Sequence, residues 1–115
     1  MNILVAVDSS EASQAVVREV AVRPWPGGTR LEVLNVVEPA HLWTVSSTVE
    51  QAMRLSAELV QRAALDLRAR GLDASGLSLP GDPKRVILDR AAKTKADFIF
   101  VGSQEIGRAS CRERV

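Results

Sequence analysis

Residues 2–7 read Asn-Ile-Leu-Val-Ala-Val, an almost unbroken apolar run rich in β-branched side chains. It lacks the polar alternation of a strand with one wet face. A run of this kind is expected as a strand covered on both sides, which requires helices packed above and below a parallel sheet. Parallel strands need long crossover connections, so the rest of the chain must alternate further strands with helices.

The pattern that follows meets this demand. Asp8-Ser9-Ser10 offers polar caps, and Ala12, Ala15, Val16, Glu19 and Val20 then recur at helical spacing, with one charge breaking the apolar stripe. Arg23 to Thr29, RPWPGGT, must end that helix. Leu31 to Val37, LEVLNVV, reads as a second strand, and Glu38 to Ser46 as a loop containing His41 and Trp43. Ser47 and Glu50 have the spacing of a capping box ahead of a long helical face that runs to Leu67, with Gly71 as its stop. Leu72 to Leu79 is a weaker strand, diluted by Gly76 and two serines. Asp82-Pro83 pairs an N-cap with proline at the first helical position, opening a helix to about Lys95. Asp97 to Val101, DFIFV, is the last strand, closed by Gly102-Ser103. The order β-α-β-α-β-α-β predicts one doubly wound α/β domain with helices on both faces.

Composition narrows the function classes. The 115 residues carry 15 basic and 14 acidic side chains with no basic stripe, so nothing points to a nucleic-acid surface. No apolar stretch is long enough for a bilayer and no signal-peptide pattern opens the chain, which leaves a cytoplasmic protein as the expectation. Cys111 is the sole cysteine and His41 the sole histidine, so neither a disulfide nor a multi-cysteine metal site is expected. Trp25 and Trp43 read as loop anchors packed on the core.

In an open parallel sheet, ligands sit beyond the carboxyl ends of the strands, where strand order reverses. Those ends here carry Asp8, Val36-Val37-Glu38, Gly81-Asp82 and Gly102-Ser103. Asp8 can accept hydrogen bonds from a ribose or an amine, or cap the helix that follows it. Gly102-Ser103 allows close backbone approach to a phosphate, or simply ends a strand. No dinucleotide fingerprint, Walker loop or nucleophile elbow is present, and no catalytic constellation assembles from the residues.

The stretches NILVAVDSSEAS, LEVLNVVEP and GDPKRVILDRAAKTKADFIFVGS, at their spacing, resemble the universal stress protein family over residues 1–103. The resemblance implies a flavodoxin-like, or Rossmann-like, fold of five parallel strands and four helices. Four strands are legible here, while the usual fourth helix and fifth strand are missing. It also implies small cytoplasmic stress-response proteins, commonly homodimers, some of which bind ATP. In that branch Ala6 would line the adenine pocket, Asp8 would contact adenosine, and Val36 would meet adenine through its backbone. Val101, Gly102 and Ser103 would approach ribose and phosphate. The branch's glycine-rich phosphate motif fits at Gly102, but its second glycine falls on Glu105, and its final pair falls at Val115 and beyond. ATP or another adenine nucleotide is therefore the expected ligand of the complete form, weakened in this chain, with no metal expected.

Residues 105–115, EIGRASCRERV, also correspond to one reading frame of an adapter oligonucleotide widely used in short-read DNA sequencing. This predicts a family-like domain over 1–104 and a non-native tail over 105–115. The tail holds three arginines and two glutamates, so the remaining basic and acidic residues balance at 12 each. With no strand expected after it, DFIFV should be left as an open, apolar sheet edge.

Overall fold

The computed structural model describes residues 1–8, 10–38, 49–103 and 108–114; for Val49, Ser103 and 108–114 it describes the backbone alone. Strands β1 (Asn2–Ala6), β2 (Arg30–Val37), β3 (Asp73–Pro80) and β4 (Phe98–Ser103) alternate with helices α1 (Glu11–Val22), α2 (Val49–Ala69) and α3 (Pro83–Thr94). A last strand, β5 (Arg108–Arg114), completes a five-stranded sheet in the order β3-β2-β1-β4-β5. The pairs β1–β2, β1–β4 and β2–β3 are all parallel, as the crossover pattern requires.

Residue parity along the strands decides which helix covers which face. Ile3, Val5 and Val7 join Leu31, Val33 and Phe100 under α1 and α2, where Val16, Val20, Val60, Ala64 and Leu67 close the layer. Leu4, Leu34 and Ile99 point the other way and pack with Ala91 and Ala96 on the α3 side. Leu4, Val5 and Val33 have no exposed surface, which accounts for the unbroken apolar run that opens the chain. The connections from β1 to β2 and from β2 to β3 both move outward in one direction. The connection from β3 to β4 returns across both strands, so with the same handedness its helix falls on the opposite face.

The helix ends follow local chemistry. Of the three polar residues before α1, Ser10 is the cap: its side chain accepts the backbone N–H of Ser13 at 3.3 Å. Glu19, the charge interrupting the α1 stripe, is half-buried and pairs one turn on with Arg23. Asp82 caps α3 by accepting the Arg85 N–H at 3.2 Å, with Pro83 in the first turn. The capping box expected at Ser47 and the loop holding His41 and Trp43 lie outside the described residues. Trp25 is an anchor, as expected: its indole N–H donates to the Val20 carbonyl at 2.9 Å, and its ring meets Phe100 edge-on at 6.0 Å. Across the α3 face, Arg90 donates twice to Glu32, at 2.7 and 2.8 Å. The hydrogen bond to Glu32 holds the guanidinium proton more firmly and pushes the Arg90 pKa above its ordinary value.

Two expectations are revised. β3 starts and ends one residue later than its pattern suggested. Its polar dilution matches its place as an outermost strand, with only β2 to pair against. The second revision concerns β4, which is not an open edge: β5 pairs with it antiparallel, Val101 opposite Cys111 and Ser103 opposite Arg108. Sheet pairing runs through backbone groups, so a polar segment joined by a short link can satisfy a free edge by folding back. The link spans only residues 104–107, too few for a crossover helix, so β5 is not the parallel fifth strand implied by the resemblance.

Candidate functional site

The carboxyl ends of β1, β2 and β4 meet beside the first turn of α3, at the point where strand order reverses. A cavity of about 280 Å³ opens there, lined by Ala6, Val7 and Asp8, by Leu34, Asn35, Val36 and Glu38, by Val101 and Gly102, and by Pro83 and Ile87. That volume sits at the small end of the range for ligand pockets.

Strand parity builds its wall. Leu4, Leu34, Val36 and Val101 all face α3, and past the first turn of that helix, at the strands' carboxyl ends, Leu34, Val36 and Val101 form the floor of the cavity. Pro83 and Ile87 close the side where α3 begins. Gly81 directs the chain there: it has φ of +137°, a backbone region open mainly to glycine, and its N–H donates to the Val37 carbonyl at 2.9 Å.

Asp8 is held by its neighbours rather than capping α1. Its Oδ1 accepts the Ser10 N–H at 2.8 Å and lies 2.9 Å from the Ser13 hydroxyl. Ser13 is only 2% exposed, and its oxygen accepts the Asp8 N–H at 2.7 Å. Its single proton is offered to Asp8 Oδ1 or to the Gly102 carbonyl, which lies 2.7 Å away. One buried hydroxyl therefore ties the end of β1, the first turn of α1 and the end of β4 together. Gly102 makes that tie feasible, since a Cβ there would stand 2.7 Å from Ser13 Cα and 2.9 Å from the Ala12 carbonyl oxygen.

Asn35 fixes the neighbouring strand end. Its amide donates to the Val7 carbonyl at 2.5 Å, and its carbonyl oxygen accepts from the Ser56 hydroxyl at 2.6 Å. Ser56 is in turn hydrogen-bonded to Ser78, so both sides of the Asn35 amide are oriented by β1 and α2. The titratable residues among those lining the cavity are Asp8 and Glu38; no Lys or Arg is among them.

A statistical model of the universal stress protein family matches residues 1–111 of the chain. The chain belongs to the universal stress protein family. Solved structures of universal stress proteins share its fold. UspA from Lactobacillus plantarum is 24% identical with a TM-score of 0.74, over 94% of this chain and 82% of that one. A universal stress protein family member from Burkholderia pseudomallei is 18% identical with a TM-score of 0.74, over 92% and 83%. A family protein from Arabidopsis thaliana, determined with AMP bound, is 19% identical with a TM-score of 0.69, over 95% and 80%. Comparison with curated proteins gave no match.

In this universal stress protein the six residues singled out from sequence are placed as follows. Ala6, Asp8, Val36, Val101 and Gly102 line the one cavity, although they come from three separate strands. Ser103 ends β4 one residue beyond Gly102, and its side chain lies outside the described residues. Sequence reasoning placed Glu38 at a strand end on the ligand edge, and missed Ser13, Asn35, Pro83 and Ile87. The Asp82-Pro83 signal did mark where α3 starts. Placing that start over the cavity needed the reversed crossover from β3 to β4, which is a property of topology and not of any motif. No helix among the described residues is long and apolar enough to cross a membrane. No cluster of three or more metal-ligating side chains occurs among the described residues.

Proposed function

We propose that the chain is a stress-response binding module whose cavity holds the adenosine portion of an adenine nucleotide. In this reading Ala6 and Val36 lie against the base, with Ile87 completing an apolar slot. Asp8 accepts hydrogen bonds from ribose hydroxyls, and Val101, Gly102 and Ser103 run along the ribose toward the phosphate. What supports it is the convergence of apolar side chains and one pre-oriented carboxylate on a cavity at the strand-order reversal. The AMP-bound Arabidopsis relative supports the ligand class. Asp8 and Glu38 alone make no catalytic set, so we read the site as binding without turnover.

Isothermal titration of AMP into the protein and into Asp8→Ala tests this. A charge-assisted hydrogen bond contributes about 1.5–3 kcal/mol, so the variant is expected to bind roughly tenfold or more weakly. Equal affinities reject Asp8 as a contact. A second reading is a dimeric interaction protein of the same fold without nucleotide. It gains if AMP gives no heat at all.

We also propose that 1–104 is the native, incomplete part of the domain and that 105–115 is translated adapter, in a protein that is cytoplasmic and homodimeric in its complete form. The β5 hairpin is compatible with this, because backbone pairing accepts almost any short polar segment. Long-read sequencing of the genomic locus is expected to diverge from the codons for EIGRASCRERV after Gln104. A genomic continuation encoding that segment would refute it.

A further inference from the structure

Helices α1 and α2 share one face of the sheet, and a second cavity of about 470 Å³ opens between them. Gln14 and Arg18, one turn apart, line it from α1, and Arg62, Asp66 and Arg70 line it from successive turns of α2. Val17, Leu59 and Ala63 supply apolar walls that continue into the core layer beneath. The charges on the lining are three arginines and two aspartates. Asp66 is paired with Arg70 at 3.8 Å. Asp8, at the β1 end, already accepts the Ser10 N–H and lies beside the Ser13 hydroxyl. Glu58, one turn before Arg62, lines the adjoining groove and offsets part of that guanidinium's charge. Arg18 and Arg62 are left, one from each helix, with no ion pair or hydrogen bond among the described residues. Two like charges beside one apolar cavity repel each other, and an anion taken up between them relieves that repulsion.

We propose that this cavity binds an amphiphilic monoanion, a medium-chain acyl carboxylate, with its head group at Arg18 and Arg62 and its apolar chain along Val17, Leu59 and Ala63. The Asp8 carboxylate disfavours the head group at the β1 end. Leu59 to Arg70 covers about 16 Å of α2, room for an extended chain of this class. A guanidinium presents paired donors to a carboxylate, and the volume falls within the range of small-molecule sites. Only Val7 and Asp8 are shared with the adenosine cavity, so this site does not depend on the nucleotide reading.

Calorimetric titration of decanoate into the full chain at about pH 8, where a carboxylate is ionised, tests this. Decanoate is expected to bind roughly tenfold more tightly than decanol, which has the chain without the charge. Decyltrimethylammonium is expected to bind more weakly than decanoate, which reads the net field at the site whichever residues supply it. Arg18→Gln and Arg62→Gln are each expected to weaken decanoate about threefold, the worth of one exposed charge pair. Both side chains are exposed, so circular dichroism is expected to show an unchanged fold. Arg54→Gln, in a different groove along α2, is the control and is expected to stay within about twofold. Raising NaCl from about 50 to about 500 mM is expected to weaken decanoate and to leave decanol within about twofold. Equal affinity for decanoate and decanol, tighter binding of the cation, or no loss in either arginine variant overturns the anion site. Absence of saturable decanoate binding overturns the cavity as a ligand site altogether.

Discussion

Phe100→Ala is expected to destabilise the fold by about 3–5 kcal/mol, the range for truncating a large buried aromatic. Phe100 is 1% exposed and sits in the layer between the sheet and α1. It takes the edge of Trp25 at 6.0 Å and lies beneath the Arg23 guanidinium, whose carbon is 5.3 Å from the ring centroid. Truncation therefore removes buried area, one aromatic pair and one cation–π contact together. Against a typical total stability of about 5–15 kcal/mol, this brings a small domain close to unfolding at room temperature. Urea titration followed by circular dichroism measures the loss, and Phe100→Leu provides a folding control that keeps most of the volume. A loss below about 1 kcal/mol for the alanine variant would mean that the α1 layer does not depend on this ring.

Gly102→Ala is expected to cost about 1–3 kcal/mol and to weaken nucleoside binding at the same time. The added methyl group would meet Ser13 Cα at 2.7 Å and the Ala12 carbonyl oxygen at 2.9 Å, both backbone atoms that cannot rotate away. Val16 Cγ2, also at 2.9 Å, sits in the buried α1 face and has little room to yield. The first turn of α1 must then lift from the end of β4, and the Ser13 bridge to the Gly102 carbonyl lengthens with it. Urea unfolding and calorimetric titration on one preparation read both effects. Wild-type stability in the variant would show that α1 moves at no cost.

The contrast between these two positions shows what could be read from the chain. Phe100 lies in DFIFV, where apolar content alone places a strand and its core side chain. Gly102 was legible as the end of that strand. Its stronger constraint, the approach of α1, depends on β4 lying beside β1 in the sheet, a neighbour 95 residues distant in sequence. Asp8 raised the same difficulty in reverse. A carboxylate before a helix suits a cap, yet Ser10 takes that role two residues later and Asp8 becomes an acceptor at the cavity. Asn35 is a polar residue inside the apolar run LEVLNVV. Its purpose appears only once Val7 and Ser56 are brought to its two sides. β5 went unanticipated because its pairing is made by peptide groups, which every residue except proline carries in full.

Ser13 has one proton and two acceptors within reach, Asp8 Oδ1 at 2.9 Å and the Gly102 oxygen at 2.7 Å. Whichever acceptor the proton leaves has a lone pair free to receive a hydrogen from elsewhere. Ser13 thereby joins the cavity edge at Asp8 to the seam between α1 and β4 on the other side of the sheet, because one O–H serves either acceptor.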